Sequence, residues 1–352
     1  LIMKKKSEIL PNNICFITHQ LEHLHNVSVS ISFKAGSLYE SKYNNGISHL
    51  VEHLFFRQLS DLSQESLYFN MQKIGGEITG KTYCDYVTFS INVIPQYLYD
   101  ALDIMLKFFD DFEWSNSIIL KEKEVVLRQI ENKAYSYNQW IDSIYFDNTK
   151  YTLPIMGTKK TVKSLTAFEI NSWKKEYFSP TNSCVTITGN FSNEFYDFLK
   201  QKLSIINNFG KKQDPIIEIA PNFTKRNSDN YLTVINADSK LSEVVVLFDI
   251  KNSFDYESVK LITSILSDGC GSKLSMIMRE KYQLTDDIFT QLTSYCGFHR
   301  YSISYTVKNK NIFNSIDILF KIINEIKTDI TLNEYASTIP FFTDNQMIDL
   351  DN

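Results

Sequence analysis

The feature that most constrains this chain is the run His49-Leu50-Val51-Glu52-His53, which lies within a mostly apolar stretch. Apolar residues recur three, four, seven and eight positions after Ile47, which is the period of a helix with one face in a core. They are Ile47, Leu50, Val51, Leu54 and Phe55. On such a helix His49 and His53 are one turn apart on the same side, with Glu52 beside them.

Two imidazoles one helical turn apart can bind the same tetrahedral cation. Zinc lowers the pKa of water towards about 7, and a neighbouring carboxylate can then accept the proton. The chain has only 6 His among 352 residues, so a chance match to H-x-x-E-H has a probability of roughly one per cent or less. The motif therefore predicts a zinc hydrolase, and the alternative is a helix with two incidental histidines.

A second group of histidines, His19, His23 and His25, lies just upstream of the motif. Their spacing is mixed and their setting resembles a turn, so we expect solvent-exposed side chains rather than metal ligands.

Charge and composition exclude several classes of protein. The net charge is −5, and Lys and Arg are scattered, which argues against a nucleic-acid partner. No run approaches the roughly 18 apolar residues of a membrane span, and no apolar segment typical of a signal peptide follows Lys4 to Lys6. The 5 Cys are odd in number and form no C-x-x-C pair, which predicts neither a disulfide framework nor a cysteine zinc site and favours a cytoplasmic location.

Several elements can be predicted around the motif helix. The alternation of apolar residues and serines from Val27 to Phe33 predicts a half-buried strand that leads towards it. Strands are predicted at Glu77 to Lys81 and at Tyr86 to Val93. Helices are predicted from Ser117 to about Tyr137 and from Ser164 to Tyr177.

The order of strands and helices in the second half repeats that of the first half. This repetition predicts an α+β fold of two homologous domains, each a mainly antiparallel sheet with helices packed on it. The least periodic segment, Lys211 to Asn230, predicts a boundary between domains 1–215 and 216–352. The second domain is the shorter one, and we expect it to lack a final strand or helix pair.

With these residues in place, the chain resembles the inverted-motif zinc peptidases, the family of pitrilysin, insulin-degrading enzyme and the mitochondrial processing peptidase. Besides the motif, the resembling stretches are Gly36-Ser37, Gly75-Gly76-Glu77, Glu122 to Ile130, Pro154 to Thr158, Tyr177 to Asn182 with Gly189, and Gly269 to Lys281. The resemblance implies half of a clamshell, a zinc site in the first domain, and a peptide substrate along an edge strand. It also implies a homologous partner subunit, so we expect a hetero-oligomer, with a homodimer as the alternative.

The resemblance also assigns roles to single residues near the metal. It makes His49 and His53 zinc ligands and Glu52 the general base. The family's third ligand is a Glu roughly 76 residues after the second His, and Gln129 occupies that place. An amide oxygen can bind zinc but has no charge, so we expect a weaker site. Glu122 matches a second family carboxylate near the metal, which makes it a candidate catalytic residue that either orients Gln129 or substitutes for it.

Two substrate-binding positions also differ from the family pattern. The family pairs an Arg with a Tyr seven residues later, and here Arg279 is followed by Asp286. An Asp cannot donate as a phenol does at neutral pH. On the edge strand Thr79 and Gly80 replace the usual Asn-Ala pair, and with Arg279 they are the candidate substrate contacts.

Three hypotheses fit these observations. The first is a zinc endopeptidase subunit that cleaves small or unfolded peptides with a homologous partner. The second is an inactive or metal-poor homologue that serves as a peptide-binding or scaffold subunit, which Gln129 and Asp286 favour. In the third, Gln129 is an introduced replacement of a natural Glu.

Overall fold

The computed structural model describes residues 4–132, 141–142, 145–146, 150–210, 239–250, 255–269, 271–295, 298–328, 330–332, 335–336 and 338–339. The chain divides into two compact units, Leu1–Ile216 and Ile217–Asn352. The predicted boundary between residues 215 and 216 lies outside the described residues and stays a prediction.

The first unit contains a six-stranded sheet, a separate two-stranded hairpin and several helices. Its strands are β1 (Lys4–Ile9), β2 (Cys15–Gln20), β3 (Val27–Phe33), β4 (Gln58–Leu59), β5 (Leu62–Ser63), β6 (Glu77–Thr82), β7 (Val87–Val93) and β8 (Ser183–Gly189). Its helices are α1 (Ile47–Arg57), α2 (Gln64–Lys73), α3 (Leu98–Leu106), α4 (Asn116–Asn132), α5 (Lys159–Ser164), α6 (Ala167–Tyr177) and α7 (Asn193–Ser204). The sheet order is β1-β2-β8-β3-β7-β6, and β4 and β5 form a separate two-stranded hairpin.

Neighbouring strands of this sheet are antiparallel except β2 and β8, which are parallel. The predicted mainly antiparallel α+β architecture is confirmed. Strand β6 lies at one edge of the sheet and pairs on one side with β7. This edge matters because β6 passes beside the motif helix.

The core of the first unit explains why the motif helix is fixed. The alternating apolar residues of β3 are almost fully buried, as expected for a strand with one face in a core. The Phe55 ring of α1 lies 5.1 Å from those of Phe108 and Trp114 and 5.2 Å from that of Phe89, between ring centroids. Burial of these rings fixes one side of α1 and leaves the side with the histidines at the surface of the core.

The second unit has a smaller sheet. Its elements are β9 (Leu241–Ile250), α8 (Tyr256–Ser267), a π-helical segment (Ser275–Lys281), β10 (Ile288–Tyr295), β11 (Phe298–Lys308) and α9 (Ile312–Thr328). The strands are antiparallel in the order β10-β11-β9. Leu274, Met278, Ile303 and Leu319 are fully buried at the centre of its core.

Some predicted elements differ from the structure. The helix predicted from Ser164 to Tyr177 is present as α6 and ends at Tyr177 as predicted, but it begins at Ala167, because Ser164 is the last residue of α5. Thr166 and Glu169 form a capping box that starts the second helix. Helix α4 is described as far as Asn132, and the rest of the predicted helix to Tyr137 lies outside the described residues.

Short 3₁₀ turns connect several elements, at Pro95–Tyr97, Lys107–Phe109, Lys150–Thr152, Pro180–Asn182 and Asn309–Asn311. Within the described ranges no helix is both long and apolar enough to cross a membrane.

Candidate metal and peptidase site

Helix α1 carries the motif and begins after Gly46, whose φ of 94° lies in the left-handed region that favours glycine. The His49 and His53 side chains are 14% and 17% exposed. Their ring centroids are 4.6 Å apart, at an interplanar angle of 68°. This geometry agrees with the prediction that both imidazoles lie on one face of a helix.

The Glu52 side chain of α1 contacts the edge strand β6. It is 7% exposed, and its Oε2 accepts a 2.6 Å hydrogen bond from the Thr82 hydroxyl of β6. The Nδ1 atom of His49 lies 3.4 Å from the same oxygen. Burial alone would raise the pKa of Glu52, but the His49 imidazole and the Thr82 hydroxyl outweigh it and lower this pKa below its usual value. Glu52 is therefore ionised at neutral pH and can accept a proton.

Glu122 of α4 contacts two residues of α1. Its Oε1 lies 2.8 Å from His53 Nδ1, and its Oε2 accepts a hydrogen bond from Arg57 Nε. Burial would raise the pKa of Glu122, but His53 and Arg57 outweigh it and lower this pKa. Because an ionised carboxylate only accepts, Nδ1 of His53 carries a hydrogen, and in the neutral imidazole Nε2 has the lone pair for a metal.

Gln129 also lies on α4, at the place predicted for the third ligand. Its Oε1 is 3.4 Å from His49 Nε2, which is long for a hydrogen bond. Two ligand atoms about 2.1 Å from a tetrahedral zinc are about 3.4 Å apart, so the pair is spaced as two ligands of one cation would be. The chemistry of these donors also suits zinc, which accepts nitrogen and oxygen ligands.

The third donor of this set, the Gln129 amide, is neither charged nor an imidazole. Within the described residues, no group of three or more His, Cys, Asp or Glu side chains is arranged to hold a metal. The Nδ1 atom of His49 is buried, and apart from its 3.4 Å contact with Glu52 Oε2 it has no hydrogen-bond partner among the described residues. By the chemistry of the donors and the spacing of His49 and Gln129, two imidazoles and one amide oxygen are compatible with zinc, with one negative charge fewer than a His₂Glu site.

The three upstream histidines differ in their exposure. His19 lies in β2 with its Nε2 buried, so the expectation of a solvated side chain is wrong for this residue. His23 and His25 are exposed, as expected.

Strand β6 brings Thr79 and Gly80 next to the motif helix. A Cβ atom built on Gly80 would lie 2.5 Å from Cε2 of Phe56 and 2.9 Å from Oε1 of Glu52. Only glycine fits there without moving one of these side chains. The Ala that the resemblance implies at this position would therefore require the Phe56 ring or the Glu52 carboxylate to shift.

Arg279 and Asp286 belong to the second unit. Arg279 lies in the π-helical segment, is 47% exposed, and pairs with Glu280 at 3.3 Å. Asp286 lines a surface groove of about 420 Å³ with Phe289 and Leu241. Their role in substrate binding stays a prediction.

Three contacts of the site were not predicted from the sequence: those of Arg57, Thr82 and Ser48. Arg57 could have been found, because it follows His53 by one helical turn on the same face. Thr82 follows Gly80 by two residues and so points to the same side of β6. Ser48 accepts from Trp173 Nε1 at 3.2 Å, a contact across 125 residues that no local pattern indicates.

Two family profiles match adjacent parts of the chain. The profile described as "Insulinase (Peptidase family M16)" matches residues 16–159. The profile described as "Peptidase M16 inactive domain" matches residues 164–339, which is half of the chain.

Similar sequences carry related names. A Rickettsia felis protein named "Uncharacterized zinc protease" is 23% identical over 92% of this chain and 76% of its own length. An Arabidopsis thaliana protein named "Probable mitochondrial-processing peptidase subunit beta, mitochondrial" is 21% identical over 72% of this chain. The matched region spans 48% of that relative.

Solved structures share the fold over the whole chain. A protease from Helicobacter pylori superposes with a TM-score of 0.81 at 18% identity, covering 100% of this chain and 87% of that one. A "peptidase M16 inactive domain" from Pseudomonas fluorescens gives a TM-score of 0.80 at 14% identity, covering 99% and 84%. On the two profile matches, the chain is a member of Peptidase family M16, the insulinase family of zinc metallopeptidases.

Proposed function

We propose that this chain is a zinc-dependent endopeptidase subunit that hydrolyses small or unfolded peptides. The observation that carries the proposal is the approach of Gln129 Oε1 to 3.4 Å from His49 Nε2, next to His53 and an ionised Glu52. His49, His53 and Gln129 are the proposed zinc ligands. When bound there, zinc would act as a Lewis acid on the peptide carbonyl and acidify water.

The residues of the chain have separate tasks in this proposal. Glu52 accepts a proton from the attacking water and later gives it to the leaving amine. The Thr82 hydroxyl fixes the Glu52 carboxylate through its 2.6 Å hydrogen bond. Glu122 and Arg57 orient the ring of His53, so we assign Glu122 to positioning of His53 rather than of Gln129.

The edge strand supplies a surface for an extended substrate. One side of β6 is paired with β7, and its other side can add a peptide by β-augmentation. Thr79 and Gly80 are the proposed contacts on this strand. Because Gly80 lies beside both Phe56 and Glu52, a peptide backbone that pairs there comes close to the general base.

A homologous partner subunit is part of the proposal. Several similar proteins are named as beta subunits of a mitochondrial-processing peptidase, which supports a hetero-oligomer for this chain as well. Arg279 would then contact substrate, with the partner supplying the phenol that Asp286 lacks. We also propose a cytoplasmic location, because Cys15, Cys84 and Cys184 are free thiols.

A second candidate function is that of a peptide-binding or scaffold subunit without activity. The uncharged Gln129 and the match of residues 164–339 to a profile described as an inactive domain favour it. The intact arrangement of His49, Glu52 and Thr82 favours the peptidase, because a subunit without catalysis has no use for an ionised carboxylate fixed beside two imidazoles.

Hydrolysis of unstructured peptides tests the proposal. We expect wild-type chain, alone or mixed with a homologous subunit, to cleave them, and Glu52→Gln to keep its zinc but lose activity by about 10²–10⁴-fold. Glu65→Gln is a matched control, because Glu65 is an exposed residue of α2. Activity that survives in Glu52→Gln, or that survives zinc chelation, would contradict the proposal.

A further inference from the structure

The start of helix α1 lacks a cap of its own. The residue before the helix is Gly46, which has no side chain, and the first turn contains no acidic residue. The backbone N–H groups of a first helical turn have no partners within the helix and need acceptors from elsewhere. His49 lies in this turn, so the acceptors determine how firmly it is fixed.

Glu40 supplies these acceptors from the preceding loop. Its Oε2 accepts from the Gly46 N–H at 2.7 Å and from Asn45 Nδ2 at 2.9 Å, and its Oε1 accepts from the Ser48 N–H at 2.9 Å. Glu40 is 1% exposed. Burial raises the pKa of Glu40, whereas the N–H groups of Gly46 and Ser48 act in the opposite direction. A carboxylate can accept all three hydrogen bonds, and it also interacts favourably with the N-terminus of the helix dipole.

Ser48, the residue before His49, is fixed on other sides too. Its hydroxyl accepts from the Gly36 N–H at 3.0 Å and from Trp173 Nε1 at 3.2 Å. Ser48 is fully buried. With the bond to Glu40, both the backbone and the side chain of Ser48 are bound to groups outside α1.

We infer that Glu40 is a positioning residue, which fixes the first turn of α1 and so places the His49 imidazole for metal binding. The part of this inference that concerns the metal depends on the proposed function. A carboxylate is required, because Gln at this position would turn one oxygen into an NH₂ group. In either orientation of that amide, the NH₂ group would face the N–H of Gly46 or of Ser48, and two donors cannot pair.

Zinc affinity separates positioning from a merely structural role. We expect Glu40→Gln to weaken zinc binding by about tenfold, within the range seen when an outer partner of a metal ligand is removed. Glu40→Asp keeps the charge and should recover part of the affinity. Asn12→Ala is the control for lost stability, because Asn12 is buried and binds the carbonyls of Leu203 and Ile206 at the end of α7. It should lower the melting temperature without changing zinc affinity.

Amide hydrogen exchange of the metal-free chain gives a second readout. Glu40→Gln should speed exchange of the amide of Leu50, which bonds to the Gly46 carbonyl, by at least about tenfold relative to Asn12→Ala. Unchanged zinc affinity in Glu40→Gln, or an equal loss in both variants, would overturn the inference. If wild-type chain binds no zinc, the proposed function fails, and the exchange rates alone decide whether Glu40 fixes the first turn.

Discussion

Gln129 brings an uncharged oxygen to a place where a carboxylate would cancel one charge of a zinc ion. The remaining charges nearby are those of Glu52 and of Glu122, and Arg57 already pairs with the latter. Glu52, the carboxylate beside His49, forms no ion pair with a Lys or Arg within the described residues. We expect a metal here to be bound more weakly and to remain more electropositive than in a His₂Glu site.

Gln129→Glu should therefore tighten zinc binding, by at least about tenfold, because a charged oxygen replaces a neutral one at the ligand distance. Competition with a chromophoric chelator measures the affinity. Arg128→Gln is the matched control, since it changes the charge by the same amount on the exposed side of α4. Equal or weaker binding in Gln129→Glu would show that Gln129 is not a ligand.

Glu122→Gln should lower zinc affinity by about 10–100-fold, because the one acceptor oxygen of Gln cannot serve both His53 Nδ1 and Arg57 Nε, and its NH₂ group would face the other donor. The same chelator competition applies. Glu124→Gln, two residues away and exposed, should leave the affinity unchanged. If both variants bind zinc alike, the contact between Glu122 and His53 has no function in metal binding.

Site residues that are close together in the sequence could be predicted, whereas contacts between distant elements could not. His49, Glu52 and His53 follow from one helical period, whereas Gln129 was implied by the family resemblance, as the residue at the place of the family's third ligand. The role of Glu122 was left open between orienting Gln129 and replacing it, whereas in the structure it contacts His53 and Arg57. The contact between Glu122 and His53 could not be predicted, because it depends on the angle at which α1 and α4 cross. That angle cannot be read from a single sequence.

Strand β6 and helix α1 pack closely enough that one added methyl group matters. Gly80→Ala would force its Cβ against the Phe56 ring and the Glu52 carboxylate, which destabilises a packed site by about 1–3 kcal/mol. We expect peptidase activity to fall by about tenfold, because the Glu52 carboxylate must move to relieve the steric clash.

The double variant Gly80→Ala with Phe56→Leu should recover part of the lost activity, because the smaller side chain gives the new methyl group space. Gly271→Ala is the control, since a Cβ there meets no atom within 4 Å. Steady-state kinetics and melting temperatures measure both effects. Full activity in Gly80→Ala alone would show that β6 and Phe56 can move apart without consequence.

Elements in which apolar residues recur with a clear period could be predicted. Elements without such a regular pattern were missed. Strand β3 and helix α1 have strict periods of two and 3.6. Strands β1 and β2 were missed, since β1 contains three lysines and the histidines near β2 resembled a turn. The Thr166 capping box that separates α5 from α6 was also missed, although its residues are visible in the sequence.

The boundaries of the two profiles and of the two compact units differ. The second profile begins at residue 164, whereas the first compact unit extends to Ile216. The reason is that β8 pairs with both β2 and β3 and so completes the first sheet. The predicted duplication into two homologous domains is confirmed by the pair of family matches, and the place of their boundary stays a prediction.

A homologous partner subunit should be needed for full activity. We expect the isolated chain to bind zinc but to cleave peptides at least about tenfold more slowly than an equimolar mixture with a homologous subunit from the same genome, because substrate positioning is incomplete. The same peptides, assayed at several mixing ratios, measure this. Full activity from the isolated chain would refute the partner requirement.

Zinc binding to the isolated chain is the most direct test of the site described here. Equilibrium dialysis at micromolar free zinc should give about one zinc per wild-type chain, and His49→Ala should lose it because one of two imidazole ligands is gone. A wild-type chain that stays free of metal under these conditions, or a His49→Ala variant that binds zinc equally, would contradict the assignment of His49, His53 and Gln129 as a zinc site.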